Sequence, residues 1–308
     1  MIWLIGNRGM LGSDVEVLLK RDYQPYIASD IDVDITDFKA LRDFIARSDV
    51  SWIINCSAYT AVDNAEDERD KTFAINADGA HNIACVAAAA GAALVHVSTD
   101  YVFDGEKSEP YLEEDTPNPI GVYGLSKLAG ERHVASAMGR YFIIRTAWLY
   151  GHRGNNFVRT MLRLFSERDE VRVVADQWGS PTFTKDLAAA IISIISGNST
   201  RYGIYHFTNE GRTTWYDFAR EIYTLARNYR RVDREVRIIP ITTEEYPTKV
   251  KRPRNSYLSK DKIRRVMGIE CRDWRDALEE YVREMTSHPP ADFSPMPPNP
   301  PEGGLFGL

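Results

Sequence analysis

Three side chains in this sequence have the types and spacing for carbonyl chemistry: Thr99, Tyr123 and Lys127. Thr99 ends the apolar run from Ala93 to Val97, which reads as a buried strand. Tyr123 and Lys127 lie four residues apart at the start of a helical stretch, so they share one face. A phenol titrates near pH ~10, and a neighbouring ammonium favours its ionised form, so Lys127 is expected to make Tyr123 a better proton donor and acceptor near neutrality. Tyr123 would then act as general acid toward a carbonyl. The Thr99 hydroxyl, able to donate and accept, would hold the carbonyl oxygen while hydride arrives from a nicotinamide. With 16 tyrosines in 308 residues, a Tyr-x-x-x-Lys pair arises by chance in about every second such chain. Its weight comes from what precedes it.

Residues 1–5 form a short apolar run, and Gly6-Asn7-Arg8-Gly9-Met10-Leu11-Gly12 turns it into a helix reaching about Lys20. This is the G-x-x-G-x-x-G form of the dinucleotide loop. The first glycine permits a tight turn, the second lets backbone approach a pyrophosphate, and the third lets helix pack on strand, with the diphosphate at the helix N-terminus. Tyr26 to Ser29 reads as the second strand, and Asp30 closes it. A carboxylate there accepts from the adenosine ribose and repels a 2′-phosphate, which favours NADH. Arg8 argues for NADPH. Asp30 or Asp32 capping the next turn is the plainer alternative. Asp34, beside Ile35, could reach an adenine amino group, and Thr36 or Asp37 would cap the helix to about Arg47.

A third strand, Ser51 to Asn55, continues into Cys56-Ser57-Ala58-Tyr59, small residues that suit a cofactor passing close to backbone. Thr60 and Val62 would lie beyond it, toward substrate. Asn76 falls in the following helix, as a brace for strand backbone in preference to a link in a proton path. The stretch 104–120 is a loop over the site. Tyr123 to Met138 is the Tyr/Lys helix and Tyr141 to Arg145 the fifth strand, leading to Trp148, whose indole offers a flat apolar face and one N–H donor. Strand and helix alternation predicts an α/β fold, a Rossmann-like doubly wound parallel sheet, with ligands at the carboxyl ends of its strands.

Past Gly151 the pattern loosens into a smaller C-terminal α/β substrate domain. The expected division is 1–149 with 184–208 for the dinucleotide domain, 150–183 with 209–285 for the substrate domain, and 286–308 as a flexible Pro-rich tail. Thr184 to Ile195 should be an apolar helix returning to the sheet with strand Gly203 to Phe207.

Composition narrows the partners. The net charge is −6, with 38 Lys and Arg interspersed among 44 Asp and Glu, which gives no footprint for nucleic acid. The cluster Arg227, Arg230, Arg231, Arg234, Arg237 reads as a solvated face. Cys56, Cys85 and Cys271 are scattered and odd in number, as in a reducing compartment, and no metal-ligand spacing occurs. No uncharged run is long enough to span a membrane, and the first residues leave no room for a cleavable leader, so a cytoplasmic chain is expected.

These stretches together resemble the extended short-chain dehydrogenase/reductase superfamily and, within it, the dTDP-4-dehydrorhamnose reductases. The matching segments are Gly6 to Gly12, Asn55 to Asp63, Ser98 to Gly105, Tyr123 to Lys127 with Gly130-Glu131, Arg145 to Gly151, Asp176 to Thr182, and Arg252 to Ser256. The resemblance implies reduction by NADPH or NADH of the 4-keto group of dTDP-6-deoxy-L-lyxo-4-hexulose to dTDP-L-rhamnose. It also implies the triad Thr99, Tyr123 and Lys127, sugar contacts from Thr60, Val62, Asp100, Tyr101 and Trp148, and a monomer or homodimer. Cys56-Ser57 and Tyr257 depart from the residues more usual in that family. Some members dimerise through magnesium; Asp14 lies where one ligand would fall, the others cannot be placed, and no metal is expected. Two other readings belong to the same superfamily. A sugar-nucleotide epimerase or dehydratase would share the cofactor, but a dehydratase needs an acid after Asp100, where this chain has Tyr101. A non-catalytic nucleotide-binding subunit, like the methionine adenosyltransferase beta subunit, would not need the intact triad.

Overall fold

The computed structural model describes residues 1–22 and 24–285; the tail expected at 286–308 lies outside the described residues. The first half alternates strand and helix: β1 (Ile2–Ile5), α1 (Met10–Arg21), β2 (Tyr26–Ser29), α2 (Phe38–Ile45), β3 (Trp52–Asn55), the short α3 (Val62–Ala65) and α4 (Arg69–Phe73). A π-helical turn, Ala74–Gly79, runs into α5 (Ala80–Ala90); then come β4 (Ala93–Thr99), α6 (Val122–Ala137) and β5 (Tyr141–Thr146). The second half holds β6 (Leu149–Tyr150), α7 (Phe157–Glu167), β7 (Glu170–Val174), β8 (Trp178–Gly179), β9 (Thr182–Phe183), α8 (Thr184–Ser196) and β10 (Gly203–His206). It ends with β11 (Thr213–Thr214), α9 (Trp215–Asn228), β12 (Arg237–Ile241), α10 (Asp261–Met267) and α11 (Trp274–Glu284).

The main sheet has six strands, all parallel, in the order β10-β5-β4-β3-β1-β2. Period-two alternation sorts its side chains. Ile2, Leu4, Ile54, Val95 and Ile144 pack with Leu11, Val15 and Leu19 of α1 and the apolar face of α8. Trp3, Ile5, Ile53, Leu94 and Ile143 pack with α2, α5 and Val134 of α6. Both faces are therefore covered, which explains why the strands read as unbroken apolar runs. Helix α8 and strand β10 return to the sheet as expected.

A second core lies C-terminal to the sheet, around Tyr150, Phe157, Phe165, Phe183, Trp215, Phe218, Trp274 and Tyr281. It is braced by a parallel pair, β7 with β12, running from Glu170↔Arg237 to Val174↔Ile241. Strand β12 went unread because Pro240 interrupts it and arginines precede it. The arginine cluster there is partly paired: Arg234 meets Asp169 at 2.8 Å and Arg237 pairs with Glu170. The strand order reverses between β1 and its neighbours β2 and β3, so a crevice opens outside the carboxyl ends at that point.

Candidate active site

The glycine turn is built where the chain must pass itself closely. Gly6 has φ +80°, and a Cβ on it would lie 2.9 Å from the Ser57 amide nitrogen. A Cβ on Gly12 would lie 2.0 Å from the Gly6 carbonyl oxygen, so only glycine lets α1 begin against the turn. Gly9 takes the N-cap position of α1 with no side chain over the first amides. Met10 and Leu11, the first residues of α1, line the crevice, at the end of the helix where the amides lack intrahelical partners. A narrow glycine cradle opening on a helix N-terminus fits the pyrophosphate of a dinucleotide.

The crevice holds about 210 Å³ and is lined by Met10, Leu11, Cys56, Ser57, Ala58, Thr60, Thr99, Asp100, Tyr101, Tyr123, Lys127 and Trp148 from the expected set. Elements distant in sequence thus converge, as the spacing of the triad requires. Gly6, Arg8, Gly9, Gly12, Asp30, Asp34, Ile35, Tyr59 and Val62 lie outside this lining. The Asp30 carboxylate accepts from the Arg8 amide at 3.0 Å and the Ile31 amide at 2.9 Å, next to the glycine turn. Asp34 caps its own turn, accepting from the Thr36 amide and hydroxyl, both at 2.8 Å. Ile35 is buried in the core against α2 and α5. The Tyr59 hydroxyl points to Glu68, 3.2 Å away, while its backbone is held by Asn76. Val62 supports Tyr123 from behind, in a cluster with Ala65, Val122 and Val250.

Asn76 is a brace: its amide oxygen accepts from Tyr59 N at 2.8 Å, and its amide nitrogen donates to Tyr59 O and to the Ser126 hydroxyl, both at 3.0 Å. It sits in the π-helical turn, a local widening of the helix that no 3.6-residue periodicity announces. One buried side chain therefore fixes the loop after β3 to the helix carrying Tyr123 and Lys127.

The electrostatics differ from the simplest expectation. Burial pushes the Tyr123 phenol well above its ordinary range; the Thr99 hydroxyl facing it lowers it, and Asp100 and Tyr101 raise it. Lys127 does not act on the phenol here, because its ammonium is turned to the Val97 carbonyl oxygen at 2.7 Å. Burial brings Lys127 itself down to about 8. Beside the triad, burial raises the Asp100 carboxyl to about 6 against the hydroxyls of Ser256 and Thr99, the latter donating at 3.0 Å. Cys56, facing Lys127, is pushed up to about 12 by burial and is an unreactive thiol. The crevice keeps Tyr123 protonated and Lys127 within reach of neutrality, which suits proton donation to a carbonyl.

The far wall is aromatic. Tyr101 meets Tyr123 edge-on, centroids 5.5 Å apart. Trp148 stands at φ +49°, a left-handed backbone that bulky residues avoid, and lies flat on Trp215. Gly179 makes room for it, since a Cβ there would come within 2.5 Å of the indole. Trp215, Thr146, Leu149 and Asn155 also line the crevice and were not singled out from sequence. Trp215 follows the N-cap Thr214 of α9, whose amphipathic pattern reads equally well as ordinary core. Among the described residues no cluster of three His, Cys, Asp or Glu could hold a metal.

Comparison with known proteins agrees with this geometry. The family model described as RmlD substrate binding domain matches residues 1–287. The chain is 42% identical over 282 residues to a dTDP-4-dehydrorhamnose reductase of Aggregatibacter actinomycetemcomitans, covering 90% of this chain and 96% of the relative. Among solved structures, a dTDP-4-dehydrorhamnose reductase of Clostridium acetobutylicum superposes with TM-score 0.87 at 42% identity, over 92% of this chain and 99% of the other. Another from Bacillus anthracis, in complex with NADP, gives TM-score 0.87 at 39% identity over 92% of this chain and 98% of the other. With a family model spanning nearly the whole chain and relatives matched end to end, this protein belongs to the dTDP-4-dehydrorhamnose reductase family.

Proposed function

We propose that the chain reduces the 4-keto group of a dTDP-4-keto-6-deoxy sugar, converting dTDP-6-deoxy-L-lyxo-4-hexulose to dTDP-L-rhamnose with NADPH or NADH. The observation that carries this reading is the convergence of Thr99, Tyr123 and Lys127 on the crevice that also reaches Met10 and Leu11 at the start of α1. When bound, the nicotinamide supplies the hydride. Gly6, Gly9 and Gly12, with the first amides of α1, would hold its pyrophosphate, and Asp30 with Arg8 would recognise the adenosine end. Cys56, Ser57 and Ala58 floor the crevice without side chains large enough to fill it.

Thr99 holds the carbonyl oxygen, and Tyr123 gives its hydroxyl proton to that oxygen as negative charge develops there. Lys127, held here on the Val97 carbonyl, would have to swing toward the phenol to offset the charge left on it. Tyr101, Trp148 and Asp100 hold the sugar ring, the indole against its apolar face and the carboxylate toward its hydroxyls. Thr60 completes the sugar side, with Val62 backing Tyr123 from the buried side. The protein acts in the cytoplasm as a monomer or homodimer, with sugar nucleotide and not nucleic acid as its partner; among the described residues no helix is long and apolar enough to cross a membrane.

The test is product analysis by NMR with the dTDP-4-keto-6-deoxy sugar and its 3,5-epimerised form, each with both cofactors. Stoichiometric loss of absorbance at 340 nm and appearance of dTDP-L-rhamnose are expected. Flat absorbance with both sugars and both cofactors would overturn the reading.

A further inference from the structure

One buried ionic group lies directly behind the triad and takes no part in the chemistry above. Glu131 stands one turn beyond Lys127 on α6. Its carboxylate accepts from the Ser98 hydroxyl on β4 at 2.5 Å, and from Arg145 on β5 through Nε at 2.9 Å and Nη2 at 2.7 Å. Both members of the pair are almost fully buried, at 3% and 2% exposure. The guanidinium is covered by the Phe103 ring at 5.1 Å and reaches toward His206 at 3.5 Å.

The placement is unusual for a device that only adds stability. Burying a carboxylate and a guanidinium costs several kcal/mol in lost hydration, about what their attraction returns, so such pairs are weak stabilisers. What this one does fix is register. Ser98 is the residue before Thr99, Arg145 is the residue before Thr146 of the crevice wall, and Glu131 is on the helix of Tyr123 and Lys127. A single carboxylate thus ties together the three elements from which the triad and the wall beside it project.

We infer that Glu131 is a positioning residue for the reduction: through Ser98 and Arg145 it sets α6 against β4 and β5, and its charge, balanced by Arg145, tunes the Lys127 ammonium. This rests on the reductase reading for its effect on turnover, though not for its effect on Lys127. The groups facing Lys127 are Glu131 on its own helix, Cys56 from the β3 loop, and the Val97 carbonyl and His96 on β4. His96 is held neutral by burial and Cys56 stays a thiol, so Glu131 is the carboxylate that favours the charged lysine.

Replacing Glu131→Gln removes the carboxylate that favours the charged Lys127, so the lysine should release its proton about one pH unit lower. The alkaline limb of kcat should move acid by the same amount, with kcat down about tenfold or more and KM for the sugar little changed. The double variant E131Q/R145M also removes the guanidinium, which does not face Lys127, and should leave the limb where E131Q puts it while kcat stays low. S98A removes only the link to the residue before Thr99 and should lower kcat several-fold without moving the limb. Lys127 titration followed by NMR on the unliganded chain reads the charge effect without turnover, so a protein that reduces no sugar still decides that part. An unmoved lysine in E131Q, or a limb in the double variant back at the parent position, overturns the electrostatic claim; parent-like kcat in S98A overturns the positioning claim, also where E131Q fails to fold.

Discussion

The indole of Trp148 lies on that of Trp215 with centroids 3.5 Å apart and planes inclined by 11°, a stack made by a loop leaving β5 and the first residue of α9. Trp148 is held in a left-handed backbone, and the stack is what holds it there. Both rings belong to the aromatic core beyond the sheet, so that core supplies this wall of the crevice. Replacing Trp215→Leu should free the Trp148 ring, raising KM for the sugar nucleotide about tenfold while the Kd of NADPH stays within about twofold. Steady-state kinetics beside cofactor titration by fluorescence separates the two.

Removing the Tyr123 hydroxyl removes the transferable proton and little else, since the ring still packs on Val62 and Tyr101. Y123F should lower kcat by about 10²- to 10⁴-fold with cofactor binding intact. Turnover within tenfold of the parent would refute the role given to Tyr123.

Lys127 imposes a sign on stability against pH. Its folded value is brought down to about 8 from 10.5, so between those values the unfolded chain binds more protons than the folded one, and stability rises with pH through that window. Below about 8 the full penalty of burying the ammonium is present, at most about 3 kcal/mol. K127M carries no such penalty. Denaturant melts of parent and K127M should show the parent's deficit largest at pH 7 and shrinking as pH passes 8 to 10; a constant difference would show that Lys127 is not desolvated.

On the proposed function, cofactor choice turns on Asp30 and Arg8. The Asp30 carboxylate accepts from the Arg8 amide beside the glycine turn, so an acid and the backbone of a basic residue meet at the end of β2, where an adenosine ribose would be recognised. D30A should raise the ratio of kcat/KM for NADPH over NADH about tenfold, and R8A should lower it. Initial rates with both cofactors measure this directly; equal ratios in all three proteins would remove Asp30 and Arg8 from the adenosine site.

Much of this was legible from residue order because the chemistry depends on local signals. The glycine turn must follow an apolar strand, Thr99 must end one, and Tyr123 and Lys127 must share a helix face; each is a rule of short range. What escaped notice depends on long-range pairing. Strand β12 exists only because β7, 67 residues earlier, offers it a parallel edge across Glu170↔Arg237. Trp215 enters the crevice because α9 packs against the loop after β5, which no local pattern encodes. The expected effect of Lys127 on Tyr123 failed for a related reason: spacing put the two on one face, but the Val97 carbonyl, contributed by another strand, draws the ammonium toward itself. Glu131 and Arg145 were visible as parts of motifs, while their bond was not.

The position of β10 carries a consequence for biosynthesis. It seals the edge of the sheet beside β5, yet β6 through α8 intervene between the two. A nascent chain that has just released Thr146 exposes β5 as an open border with its amides and carbonyls unmatched. That border stays raw until His206 has emerged, by which time Tyr150, Phe157, Phe165 and Phe183 of the aromatic core have been made while Trp215, Phe218, Trp274 and Tyr281 are still to come. The two halves must therefore mature in an interleaved order, and the stretch of synthesis between residues 146 and 206 is when the polypeptide is most exposed to pairing with a neighbour.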